Sequence, residues 1–365
     1  MTDTTDGEPD QEAHAQDGVP TQQQTSSEQV RRPLGGGDPG GNVYHYTSAA
    51  GLVGIVNSRR DADVSRRLTF FASDVLGMND ISELAFGLEI VREHAERLAQ
   101  GGEQQEFFES WLPILEKYLG TPTLDTLRVA PRPCVCAVSF TSGDDLLSQW
   151  VTYGSGGGFA IGLAPETLRG ATYTSSNIRT AEPKTFKCSL GRVYYGEDAR
   201  AQSAEIPLFT SAGAQALAAV TGLQGMVSAF QALMTRVKDP QHRPAPAVVE
   251  HASAAMAISI AAWYKHDAFK PEQEWRLLVG GGSRGDLAEL LSGNHPPEFR
   301  AAGLRLLPYR PVTTTAVADQ PVIRDLVVGP APDQVPLVHA AQQLLLANGH
   351  DPSVVRASTI PYRGW

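Results

Sequence analysis

Across residues 1–40, Gln, Ser, Thr, Asp and Pro follow one another with hardly any large apolar side chain, and the stretch ends in GGGDPGG. Such a segment cannot bury enough surface to offset its ordering entropy, which predicts a disordered acidic tail over 1–40. From Asn42 the pattern changes. Bulky β-formers alternate in NVYHYTS, predicting a strand, and Ser48 then caps an amphipathic helix over AAGLVGIVNSRR. RRLTFFASD reads as a second strand. In GMNDISELAFGLEIVREHAERLAQ, Leu84, Leu88 and Val91 recur at spacings of four and three, the stripe of a core-facing helix. QEFFESWLPILEKYLG is a further helix, PCVCAVSFT a strand, SGDDLLSQWVTYG a capped helical turn, GGGFAIGLAP another strand and GRVYYGED one more short strand. Residues 207–263 read as a mainly helical insertion with a Pro-rich break near Pro240 to Pro246. FKPEQEWRLLVGGG predicts a strand, followed by VIRDLVVGP, a helix from Asp333 to Asn348, and VVRASTIPYR.

Strands scattered between helices of irregular length argue for an α+β fold over a doubly wound sheet. No internal repeat interrupts residues 41–365, which read as a single domain. A hydrophobic fraction of 42% is ordinary for a chain that folds without staples. The three cysteines, Cys134, Cys136 and Cys188, form neither an even framework nor a C-x-x-C pair, which speaks against a secreted disulfide scaffold and a structural zinc site and for a reducing cytosol. In CVCAVSF, Cys134 and Cys136 alternate as two small apolar positions on one face of a strand. The acidic start MTDTTDGEPD is unlike a signal peptide. The longest apolar candidate, Ala252 to Trp263, falls short of the ~18 residues a membrane span needs, so a cytoplasmic chain with no membrane partner is expected. Of the formal charge of −10, residues 1–40 carry −6, with eight acidic against two basic side chains. Neither part clusters Lys and Arg as a protein gripping nucleic-acid backbone would.

Four motifs can carry chemistry. In Tyr44-His45-Tyr46-Thr47-Ser48, His45 and Thr47 share one strand face and Tyr44 and Tyr46 the other. A His with a hydroxyl two residues on can bond a sugar hydroxyl and a carboxamide together; taken alone, the pair reads as a satisfied core histidine. In Glu272-Gln273-Glu274-Trp275-Arg276 two carboxylates fall on one face of a strand. They suit a polyhydroxyl group or positive charge developing at an anomeric carbon, or equally an edge strand whose acids pair with Arg276 and Lys270. Ser148 to Gly154 followed by Ser155-Gly156-Gly157-Gly158 offers glycines for close backbone approach and the aromatics Trp150 and Tyr153 for stacking. It lacks G-x-G-x-x-G spacing, and a hairpin turn is the simpler reading. Asn79-Asp80-Ile81-Ser82-Glu83 opens a helix, where capping alone explains the residues. Among the nine histidines there is no H-E-x-x-H or other paired metal pattern, and no metal is expected. His266, close to the E-x-E segment, reads as a local hydrogen-bonding residue.

In this order the segments VYHYTS, LTFFASD with MNDISE, VSFT with DDLLSQWVTYGSGGGFAIGL, VYYGE, WYKHDAFKPEQEWRLL, and VIRDLVVGP with VVRASTIPYR resemble the bacterial domain of unknown function 2971 family, over residues 43 to 362 with two interruptions. That family in turn resembles a remote branch of the ADP-ribosyltransferase superfamily. The likeness implies a split antiparallel β-sandwich with helical insertions that clamps NAD. It implies that His45 binds the ribose and carboxamide with Thr47 and Tyr46 beside it, and that Phe70 stacks on nicotinamide. Asn79, Trp150, Tyr153 and Arg276 complete the implied NAD site. Glu274 is the implied catalytic residue that orients the ribose and stabilises an oxocarbenium-like transition state. Glu272 resembles the extra acid that positions or deprotonates an acceptor. Phe70 replaces the tyrosine of the His-Tyr-Glu clade and so keeps stacking but loses a hydrogen bond. Glu272 points instead to the arginine-modifying clade.

The implied function is NAD-dependent ADP-ribosyl transfer or NAD hydrolysis in a toxin or phage-defence effector. The acceptor, whether protein, nucleic acid or small molecule, stays open, and a cognate antitoxin or regulator is the implied partner. Two rivals stand beside it. One is a non-catalytic nucleotide-sensing or protein-interaction module. The other is a metal-dependent nuclease or other hydrolase built on Glu272, Glu274, Asp80 and His45.

Overall fold

The structure is a computed structural model that describes residues 38–57, 67–78, 81–101, 105–119, 133–154, 157–205, 246–280, 289–290, 293–302, 304–314, 317 and 320–361. The predicted tail over 1–40, the first part of the predicted insertion, and Asn79 and Asp80 lie wholly or largely outside the described residues.

The chain begins with β1 (Val43–Thr47), α1 (Ala49–Val56) and β2 (Thr69–Asp74). The Ser48 hydroxyl accepts from the Gly51 N–H and caps α1 as its sequence predicts. Two helices follow, α2 (Ile81–Ala99) and α3 (Gln105–Leu119), then β3 (Cys136–Thr141), α4 (Leu147–Tyr153), β4 (Phe159–Leu163) and α5 (Pro165–Arg169). Next come β5 (Thr172–Ser176), β6 (Pro183–Arg192), β7 (Tyr194–Tyr195), α6 (Gly196–Glu205), α7 (Pro246–Ala261) and β8 (Tyr264–Lys265). The chain closes with β9 (Glu274–Val279), β10 (Glu298–Ala302), β11 (Arg305–Thr313), β12 (Ile323–Val328), α8 (Val335–Ala347) and β13 (Val355–Ala357).

The fold is α+β with mostly antiparallel strands. Following the pairs β2–β3, β3–β9, β9–β6, β6–β5, β5–β11 and β11–β2 returns to the starting strand, so six strands close a barrel. β1 attaches to β3 and continues outward as β4, β12 and β13, while β10 extends from β11. The expected sandwich of two separate sheets is thus a ring with an extension. β3 makes the difference: its one edge is shared by β2 near its start and β1 near its end, at Ala137↔Ser73 and Thr141↔Tyr44.

The pleat sends Phe70, Val138, Phe140, Tyr173, Phe186, Leu277 and Val312 to one face of the ring, where all are buried. Several are direct cross-strand partners, Phe70↔Val312, Val312↔Tyr173 and Tyr173↔Phe186 among them. On the other face of β3 and β9 lie α2 and the end of α7. α2 approaches α7 so closely that a Cβ on Gly87 would stand 2.3 Å from the Ala261 carbonyl oxygen. No described helix is long and apolar enough to cross a membrane.

Candidate functional site

Glu83 precedes Gly87 by one helical turn, so the close approach at Gly87 lays the Glu83 side chain against β9. There it meets four other charged side chains. The Arg276 guanidinium gives its Nε–H to Glu274 Oε1 (2.7 Å), its Nη1 to the Ala262 carbonyl (2.6 Å) and its Nη2 to Glu83 (2.9 Å) and Glu274 Oε2 (3.1 Å). Lys265 Nζ stands amid three carboxylates, 2.8 Å from Glu83, 2.6 Å from Glu272 and 3.0 Å from Glu274. The Lys265 ammonium also sits 4.7 Å from the centre of the Phe269 ring. Three acids therefore share two cations beneath α2 and α7.

The two carboxylates of the E-x-E segment converge by a route other than the one predicted. Glu272 ends a 3-10 turn (Asp267–Glu272), Gln273 adopts a left-handed φ of 47°, and only Glu274 opens the strand. The turn, rather than strand alternation, brings both acids to Lys265. It is pinned by Ser142, whose hydroxyl donates to Gln273 Oε1 (2.6 Å). The Glu274 N–H donates to the Tyr195 hydroxyl (2.8 Å). His266 caps the turn by accepting from the Ala268 N–H, and Lys270 pairs with Asp198 rather than with the E-x-E acids.

Position sets the two acids apart electrically. Burial alone pushes the Glu274 carboxyl up, but Arg276 and Lys265 outweigh it and hold the group at about 2. Glu272 is raised from its ordinary value, chiefly by burial, with the bond from Lys265 opposing. Lys265 is lowered by burial and raised more by Glu274 and Glu83, so it stays charged. Glu274 is 4% exposed, whereas the side chain of Glu272 is 27% exposed, so Glu272 is the member of the pair that solvent reaches.

His45 and Phe70 lie together, with ring centroids 5.2 Å apart and Phe140 against both. His45 Nδ1 bonds the Ser139 carbonyl (2.9 Å), filling the place where β1 and β2 part along β3, and burial lowers its pKa. Phe70 is fully buried. Phe140 pairs with Trp275 and Thr141 with Glu274, so the pleat turns His45, Phe70 and Phe140 to one face of β3 and β9 and Glu274 with Arg276 to the other. The structure brings Glu272, Glu274 and Arg276 together; it does not bring His45 and Phe70 to them.

Tyr46 and Trp150 form a third group with Tyr44, Ala160 and Val327. Their rings meet at 4.5 Å, and the Trp150 Nε1–H donates to Asp145 (2.7 Å). The described glycines of the run pack this group: a Cβ on Gly154 would meet the Trp150 ring at 2.8 Å, and one on Gly158 would meet Gly154 Cα at 2.4 Å. Close backbone approach is used, but for an indole of the chain itself. Thr47 ends β1 beside the glycine run, its carbonyl oxygen 3.0 Å from where a Cβ on Gly158 would stand, and Tyr153 is exposed on α4.

Sequence reasoning missed Lys265, Glu83 and Tyr195. Glu83 had the ordinary look of a first-turn acid on a helix. For Lys265 the available signal was its position two residues after Trp263 and seven before Glu272, with a turn between that folds the segment back. Among the described residues no three His, Cys, Asp or Glu side chains gather as a metal-binding group.

No curated protein and no solved structure matches the chain. One family model does, described as a protein of unknown function (DUF2971), and its match covers residues 149–277, from Gln149 on α4 to Leu277 on β9. This span holds Lys265, Glu272, Glu274 and Arg276, and over it the chain is similar to the DUF2971 family.

Proposed function

We propose that the chain cleaves an N-glycosidic bond, with NAD as the substrate, and passes the ADP-ribose to an acceptor or to water. The observation that carries this reading is the carboxylate pair at the start of β9, where one acid is held strongly ionised and its neighbour, raised from its ordinary value, is the stronger base of the two. Pairs of acids driven apart in this way divide the work of glycosidic cleavage. In the proposed reaction the nicotinamide–ribose bond breaks first, its electron pair leaving with nicotinamide. The Glu274 anion stabilises the positive charge left at the anomeric carbon, and Glu272, at the solvent edge, takes the proton of the attacking nucleophile. For Glu274 to face that carbon, Lys265 and Arg276 Nη2, which share its Oε2, have to give up those bonds, and Glu83 offers each of them another partner.

A specific observation favours a second reading, the non-catalytic module. Glu274 and Arg276 are almost fully buried and their charged atoms are mutually paired, as in an ion network that holds helices to a sheet. A metal-dependent hydrolase finds less support, because the Lys265 ammonium stands where the three carboxylates converge and supplies the positive charge a metal would bring.

The deciding experiment follows nicotinamide release from NAD, with a chelator present, for the wild-type chain, Glu272→Gln and Glu274→Gln, with NAD binding measured by calorimetry and folding by circular dichroism. Release that falls at least tenfold in a folded Glu272→Gln chain supports the enzyme. Binding without release supports the module, and neither binding nor release overturns both.

A further inference from the structure

Cys134 and Cys136 take no part in the charged cluster, and they are more than two small apolar positions. Cys134 is partly exposed just before β3, Cys136 is buried as the first residue of β3, and both are free thiols. Their sulfurs are 3.4 Å apart, in thiol–thiol contact. The third cysteine, Cys188, is buried on β6, whose neighbours are β5 and β9.

The pair sits on a thin joint of the barrel. β2 and β3 share two register pairs, Ser73↔Ala137 and Asp74↔Cys136, against five between β3 and β9 and five between β2 and β11. One more hydrogen bond reinforces the joint, from the Val75 N–H to the Val135 carbonyl (2.8 Å). Val135 is the residue between the two cysteines. Whatever is done to their sulfurs is therefore felt directly at this joint.

We propose that Cys134 and Cys136 form a redox-active dithiol, a modification site that a hydroperoxide converts to an intrachain disulfide in the folded protein. The partly exposed Cys134 thiolate attacks the peroxide oxygen; the O–O bond breaks, a sulfenic acid forms and the leaving group departs as water or an alcohol. The Cys136 sulfur then attacks the Cys134 sulfur, the S–OH bond breaks, and water leaves with the Cys136 proton. Two thiols are oxidised and one peroxide is reduced. The division of roles follows from the surroundings: the contact with Cys134 and then burial hold the Cys136 thiol in its protonated form, which suits the resolving partner rather than the attacking one.

Closing the sulfurs to the bonded distance of about 2.05 Å draws in the backbone on either side of Val135. The consequence falls on the Val75–Val135 bond, so oxidation loosens the joint between β2 and β3. This inference is independent of the glycosidic reading.

The test treats the full chain with hydrogen peroxide under native conditions, then counts thiols by alkylation after denaturation and maps peptides. The expected result is a fall from three reactive thiols to one, with Cys134 linked to Cys136 and Cys188 alkylated. Amide exchange at Val75 should speed up at least tenfold on oxidation and recover with dithiothreitol. Cys188→Ser should oxidise like the wild type, and Cys134→Ser, changed at the more exposed position, should form no intrachain link. Over-oxidation of Cys134 to sulfinic acid, a link between two chains, or a link that forms only in denaturant would each overturn the proposal.

Discussion

Two buried carboxylates give the protein opposite dependences on pH. Glu274 is held at about 2 against an ordinary value of 4.5. Its contribution to stability is fully present above 4.5 and is lost as pH falls from there toward 2. Glu274→Ala leaves the buried Arg276 and Lys265 to share Glu83 and Glu272 and should cost about 3–5 kcal/mol at neutral pH; urea unfolding from pH 7 to pH 3 should show a flatter acid limb for the variant. Asp74 behaves in the other sense. Burial raises it from 3.8 to about 6, so its stabilising, neutral form is fully present below 3.8 and is lost as pH rises through 6. Asp74→Asn keeps an oxygen to accept from the Leu76 N–H. It should raise stability by ~2 kcal/mol at pH 7.5 and by nothing below pH 4.

At the scale of elements, the site depends on how closely α2 lies on α7. A Cβ at Gly87 would meet backbone, which cannot swing aside as a flexible side chain would, so the helices themselves must separate. Gly87→Ala should therefore cost about 1–3 kcal/mol as an overpacked contact does, despite the better helix propensity of alanine. Because Glu83 is one turn away, the same change should lift it from Arg276 and Lys265. Combining Gly87→Ala with Glu83→Gln should cost less than the sum of the two separate changes, which a double-mutant cycle in urea measures. The strands differ in how legible they were. β1, β2, β3 and β4 announce themselves by alternating bulky residues. β5 and β6 carry Thr, Ser and Lys on their outer face and few large apolar residues inward, Tyr173 and Phe186 foremost. β11 contains Pro308 and Pro311, residues that ordinarily argue against a paired strand, yet it is paired along both edges.

Across the whole molecule, burial is uneven, and local stability should follow it. All six residues of β9 are buried, between β3 and β6. The β10–β11 hairpin instead carries Phe299, Leu304 and Leu306 on the surface, with Leu304 fully exposed. Hydrogen exchange should be slowest in β3 and β9 and fastest in that hairpin, reporting a core that opens only with global unfolding and an edge that frays. Equal protection of the two would mean that the ring opens as one unit with its extension.

The amino-acid sequence by itself determined β1 to β4 and the long helices, the opposed faces of β1, the Ser48 cap and the acids of the E-x-E segment, because propensity, alternation and capping act over a few neighbouring residues. Closure of the barrel was decided only in three dimensions, since pairing β2 with β11 joins segments more than two hundred residues apart and leaves no periodicity to read. The same holds for the charged cluster. Lys265 and Glu83 become its members through the Gly87 contact and the left-handed turn at Gln273, and the separation of His45 from Glu274 follows from which side of β3 each strand's pleat turns its side chain.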